Sequence, residues 1–109
     1  MAFELPKLPY DYDALSKSID EQTMRIHHTK HHQGYTNKLN KALESAPDMQ
    51  GKDIEEILKN LDSAPESVKT AIRNSGGGYY NHKLFWEMMT PNQGDMPENL
   101  KQAIERDFG

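Results

Sequence analysis

The chain has 109 residues, 13 basic and 17 acidic side chains, a formal charge of −4 and no cysteine. Without cysteine it cannot be a disulfide scaffold, a zinc ribbon or a thiol enzyme, no stretch approaches the ~18 apolar residues of a membrane span, and mild acidity argues against binding a phosphate backbone, which takes a concentrated basic face. Leu, Ile, Val and Phe number 19 of 109, about 17 %, below the roughly 20 % at which disorder becomes a concern, but the net charge is too small for a disordered chain. Six Met, five Tyr and one Trp add apolar area, so the composition describes a thin-cored helical piece that buries surface against something else.

Residues 1 to 12 hold Pro6, Pro9 and two tyrosines and read as an extended arm. Their prolines and acids stand where an export signal needs an apolar run, so the cytoplasm is the expected location. From Asp20, a good N-cap, to Ala46 there is no proline, and a long helix is expected. Pro47, Asp48 and Gly51 break it. Asp53 caps a short helix in which Ile54, Ile57, Leu58 and Leu61 recur at helical spacing. After a turn at Asp62, Ser63 and Pro65, a second long helix runs from Pro65, a favoured first-turn residue, to Met89. Thr90, Pro91, Asn92, Gln93 and Gly94 end it, and Pro97 opens a final amphipathic segment with Leu100, Ile104 and Phe108. No strand pattern and no repeat occurs. The fold class is therefore all-α: an antiparallel hairpin of two long helices with a short connecting helix. Residues 1–92 form the hairpin, and 93–109 a linker and this final segment.

Two helical faces carry the chemistry. At about 100° per residue from His27, His31 falls near 40°, Met24 and Ala42 near 60°, Tyr35 near 80°, His28 near 100° and Leu39 near 120°. The histidines thus sit on the apolar stripe, opposite Lys30, Gln33 and Lys41. One imidazole in such a place is ordinarily a satisfied core group. Four in six residues, forming the i, i+4 pairs His27/His31 and His28/His32, can present two rings to one metal. On the second long helix His82 lies at the centre of a stripe made by Val68, Ile72, Tyr79, Phe85, Trp86 and Met89, so an antiparallel pairing brings His27 and His82 together. The run Gly76-Gly77-Gly78 costs about 1 kcal/mol per residue against Ala inside a helix. Either backbone approaches something closely there, or the helix bends or breaks.

Met24-Arg25-Ile26-His27-His28-Thr29-Lys30-His31-His32-Gln33-Gly34-Tyr35 resembles the first-helix motif of the manganese/iron superoxide dismutases, and Gly76-Gly77-Gly78-Tyr79-Tyr80-Asn81-His82-Lys83-Leu84-Phe85-Trp86 their second. Leu5-Pro6-Lys7-Leu8-Pro9-Tyr10 and Ala71-Ile72-Arg73-Asn74 are similar to the family as well. The resemblance implies that His27 and His82 are metal ligands. It places His31 and Tyr35 at the substrate gateway and its hydrogen-bond network. Trp86, Gly78 and Lys30 would surround that shell, with Trp86 walling the metal pocket. Glycine at 78, where iron-type members often carry glutamine, leans toward manganese over iron.

The family's other two protein ligands, an Asp and a His, come from an Asp-x-Trp-Glu-His motif that has no counterpart here, and His82 is the last histidine. The expectation is an N-terminal helical half with two of four ligands, lacking the C-terminal α/β domain. In the complete protein a redox-cycling Mn or Fe would convert 2 O₂•⁻ + 2 H⁺ to O₂ + H₂O₂; the lone chain would be nearly inactive. Its uncovered strip around Tyr79, Phe85, Trp86 and Met89 would favour a homo-oligomer. Two other readings remain: an inactive module binding zinc through His27, His31 and His82, and a metal-free helical hairpin that dimerises.

Overall fold

The computed structural model describes residues 2–92 and 94–109, and their regular structure is entirely helical. Met1, and Gln93 of the expected helix-ending turn, lie outside the described residues. Asp20 caps the first helix, its carboxylate accepting from the Thr23 N–H at 2.7 Å, and this bond holds the Asp20 carboxyl below its ordinary pKa. The expected helix is there, but in three parts: α1 (Glu21–Ile26), a π-helical turn (His27–His32) and α2 (Gln33–Leu43). Short 3₁₀ turns at Pro47–Met49 and Leu61–Ser63 flank α3 (Ile54–Lys59). They lead into α4 (Glu66–Met88), and α5 (Glu98–Phe108) follows the Pro97 start.

The long helices run antiparallel. Gly76 packs near Leu39, Gly78 against Tyr35, and Trp86 bonds to His32, so position rises along α4 as it falls along the first helix. The glycine run neither bends nor breaks α4, which is continuous through it. A Cβ on Gly76 would lie 3.3 Å from both Ile54 Cδ1 and Leu58 Cδ2, and one on Gly78 would fall 2.3 Å from the Tyr35 ring. Two of the three glycines therefore let α3 and Tyr35 close onto bare backbone, while Gly77 faces open space.

The apolar core occupies one end of the hairpin: Leu39, Ala42, Leu43, Ala46, Met49, Ile54, Ile57, Ala64, Ile72 and Tyr79. The histidines occupy the other. The N-terminal arm laces across both. Asn40 clamps the Phe3 backbone, accepting from its N–H at 2.7 Å and donating to its carbonyl at 2.8 Å, and the Tyr79 hydroxyl donates to the Glu4 carbonyl. The expected exposed strip fails at its centre, because Trp86 is only 1 % exposed and Tyr79 is buried too. The hairpin and arm cover both, and Phe85 and Met89 are half-buried. Exposed apolar surface lies instead at Met88, Met96 and along α5, at Leu100, Ile104 and Phe108.

Candidate metal centre

The π-turn arises where a helix has one residue more than α-geometry takes, and such turns recur at functional sites. Here the Gln33 N–H reaches back five residues to the His28 carbonyl. Hydroxyls support the widened turn from both sides. Thr29 donates to the Arg25 carbonyl at 2.6 Å and Thr36 to the His32 carbonyl at 2.9 Å. In α-geometry a four-residue repeat drifts by about 40° per step, yet Met24, His28, His32 and Thr36 are all buried. The wide turn removes the drift. It separates the histidines into an inward row, His28 and His32, and an outward pair, His27 and His31.

The outward side is a recess of about 530 Å³ lined by Thr23, Ile26, His27, His31, Tyr35 and His82. A second recess of about 300 Å³, lined by His27, Asn81, His82 and Phe85, lies on the other side of the same two imidazoles. The His27 and His82 rings meet edge-on with centroids 4.8 Å apart. His82 Nδ1 is 2.7 Å from the Gly78 carbonyl. A carbonyl only accepts, so Nδ1 carries the proton and Nε2 keeps a free lone pair, the arrangement that orients an imidazole for a metal. Burial, with His82 and His31 beside it, pushes the His27 pKa below 6.5. That favours the neutral form, which is the form that ligates.

Residues 2–90 match the family model described as iron/manganese superoxide dismutases, alpha-hairpin domain. The chain belongs to that family. Its relatives include proteins named manganese superoxide dismutase from Listeria monocytogenes, 54 % identical, Listeria innocua, 52 %, and Listeria ivanovii, 53 %. Each alignment takes in all of this chain but 54 % of the relative, so the chain spans about half the length of the relatives it matches. The family's fold agrees with the all-helical hairpin seen here.

The donor chemistry of His27 and His82 fits a manganese or iron ion of that superoxide dismutase family: two facing imidazoles, one already oriented, beside an open recess. They make a partial set. Among the described residues no three His, Cys, Asp or Glu side chains are grouped to hold one ion. The zinc site on His27, His31 and His82 therefore has no support. His31 is exposed and its ring centroid stands 5.8 Å from that of His27, but the three do not converge. Tyr35, 36 % exposed, stacks obliquely on His82 at 5.2 Å. Trp86 closes the inner side, its ring 4.9 Å from His27. Lys30 is exposed and does not line either recess.

The inward row behaves differently. His28 is fully engaged: the Tyr12 hydroxyl lies 2.8 Å from Nδ1 and the Pro6 carbonyl 2.7 Å from Nε2. The carbonyl must accept, so Nε2 carries the proton and Tyr12 donates. His32 Nδ1 accepts from the Trp86 indole N–H at 2.9 Å. That leaves the proton on Nε2, which has no partner in hydrogen-bonding geometry, although the Tyr79 carbonyl nearby favours the charged form slightly. Burial first, then His82 and His28, push the His32 pKa down to about 4. The sequence offered His28 and His32 as a pair able to share one metal, but both ring nitrogens of His28 and Nδ1 of His32 are committed to Tyr12, Pro6 and Trp86 instead; it gave no task to Thr36, Tyr10 or Tyr12. The unbroken four-residue spacing from Met24 to Thr36 was the available signal for His32 and Thr36.

Proposed function

We propose that this chain is the helical half of a manganese-dependent superoxide dismutase, with His27 and His82 as two of four protein ligands. The observation that carries this reading is the edge-on imidazole pair with the His82 Nδ1 proton held by Gly78. A bound metal would supply one-electron chemistry, alternately taking an electron from superoxide and returning one, for a net 2 O₂•⁻ + 2 H⁺ → O₂ + H₂O₂. The residues here bind, orient and shelter. His82 is fixed by Gly78, and Trp86 blocks the inner face. His31 and Tyr35 line the recess through which a small anion would reach the pair, and they bring an imidazole and a phenol to it. Their place suits a reaction that consumes two protons.

Gly78 supports manganese over iron, as do the relatives' names. We divide the chain at residues 92 and 93, assigning α5 to a second unit. We also infer self-association, which sedimentation equilibrium would report as a dimer; a clean monomer at micromolar concentration would refute it. No helix is long and apolar enough to cross a membrane among the described residues, and the mean hydropathy is −0.92.

The test is a titration with Mn²⁺ followed by NMR of the imidazole signals. Paramagnetic broadening should strike His27 and His82 before His28, and His27→Ala or His82→Ala should abolish it. Broadening centred on surface carboxylates would overturn the assignment. With two imidazoles alone, the isolated chain should show little superoxide turnover; robust metal-dependent turnover would refute the two-of-four ligand set.

A further inference from the structure

The N-terminal arm grips both of the elements that carry the paired imidazoles, through two tyrosines separated by one residue. Tyr12 donates to His28 Nδ1 at 2.8 Å, and the other side of that ring bonds the Pro6 carbonyl. The Arg25 guanidinium lies over the Tyr12 ring, 4.5 Å from its centroid, and holds the ring against the first helix. Tyr10 donates to the Trp86 carbonyl at 2.8 Å. That carbonyl is among the last four of α4, which find no partner within the helix. Tyr10 therefore caps α4 from outside, and its burial raises its pKa and keeps the hydroxyl protonated as a donor. His27 is the immediate neighbour of His28, and His82 lies one turn before Trp86.

We propose that Tyr10 and Tyr12 are positioning residues for the His27/His82 pair, acting as a strut between the π-turn and the C-terminal end of α4. Neither hydroxyl bonds the His27 or His82 ring; each fixes a neighbour whose backbone carries one of them. The π-turn makes such a strut necessary. A turn whose hydrogen bonds close over five residues is less regular than α-helix, and the ring projecting outward from it needs its backbone held from the other side. His28 provides that hold. Its bonds end on a tyrosine hydroxyl and a peptide carbonyl, so it serves as an anchor and passes no proton onward. The Trp86 side repeats the logic, because Trp86 also donates to His32 and lies against His27. A shift of the α4 end would move His82 and the Trp86 ring that backs His27 together.

This inference rests on His27 and His82 being the metal ligands, and the experiment separates the two claims. Tyr10→Phe, Tyr12→Phe and the double variant each remove only a hydroxyl. Asn40→Ala releases the arm at its far end, away from the histidines, and serves as the control for general loosening. The first readout needs no metal: ¹H–¹³C signals of the His27 imidazole, which the Trp86 ring current shifts. The double variant should move them toward the values of a free imidazole, with far-UV circular dichroism unchanged; Asn40→Ala should leave them in place while lowering the unfolding temperature. The second readout is Mn²⁺ affinity, expected to fall about 10- to 100-fold in the double variant, the usual scale for losing a ligand's outer support. Wild-type His27 signals in the double variant, or equal movement in Asn40→Ala, would overturn the strut. If the unaltered chain fails to bind Mn²⁺ at His27 and His82, the ligand assignment falls, and the imidazole signals still decide whether the tyrosines position the pair.

Discussion

His27 and His28 are consecutive residues of one type, and they do opposite work. His28 and His32 turn inward, where a tyrosine, a proline carbonyl and an indole take up ring nitrogens. His27 and His31 turn outward onto an open recess. The difference is what meets the ring: a nitrogen already in a hydrogen bond holds structure together, while one left free beside a cavity is available for chemistry. If this division is correct, substitutions on the inward side should cost stability and those on the outward side very little.

The largest expected effect is Trp86→Ala. It empties a fully buried site and strips His32 Nδ1 of its donor, and should destabilise the chain by about 3–5 kcal/mol in urea unfolding. A loss under about 1 kcal/mol would break the contrast. Next is acid. His32 is fully buried with a pKa of about 4 against 6.5 for an ordinary histidine, so between these values the unfolded chain binds more protons than the folded one. Stability from this group should therefore be full above about pH 7, fall by ~2–3 kcal/mol as the pH drops from 6.5 to 4, and level off below, where protonation of the Asp20 carboxyl continues the loss. His27, shifted the same way, adds to the fall. Unfolding in EDTA across that range, in wild type and His32→Gln, measures it, and an equal slope in both would remove His32 as the cause.

Gly78→Ala should cost about 1–3 kcal/mol by forcing the Tyr35 ring off α4, seen as lost stability together with displaced Tyr35 ring signals in NMR. Unmoved signals with full stability would show that the two helices simply part. The smallest effect belongs to His31→Ala, an exposed position, which should change stability by no more than about 0.5 kcal/mol. A cost near that of Trp86→Ala would place His31 among the structural histidines.

Much of this was legible in the residues. Asp20 as a cap, the extent of α4, the short helix after Asp53 and the meeting of His27 with His82 all follow from local propensity and helical period, which are properties of neighbouring positions. The pairs His27/His31 and His28/His32 could be read from their spacing, but which pair faces inward could not, because a fixed 100° step cannot represent a turn that absorbs an extra residue. Nor was the arm's role, since Tyr12 finds His28 and Tyr10 finds Trp86 only after the helices have paired. The glycine run left a close approach, a bend and a break equally open; the close approach is the outcome, to Ile54, Leu58 and Tyr35. The expected sticky strip failed because apolarity at Trp86 and Tyr79 was read without the arm and partner helix that cover them.

The arm also sets an order of events. Tyr10 and Trp86 are 76 positions apart, and Glu4 and Tyr79 are 75, whereas the helices need only local contacts to begin forming. Pairings that distant close late, because the chain entropy of bringing them together is repaid only once both ends are in place. During synthesis the arm leaves the ribosome before the helices yet settles after them, waiting for the end of α4 to emerge. Pulse-labelled hydrogen exchange during refolding should find the Phe3 amide protected after those of α2 and α4, and earlier protection there would reverse the order.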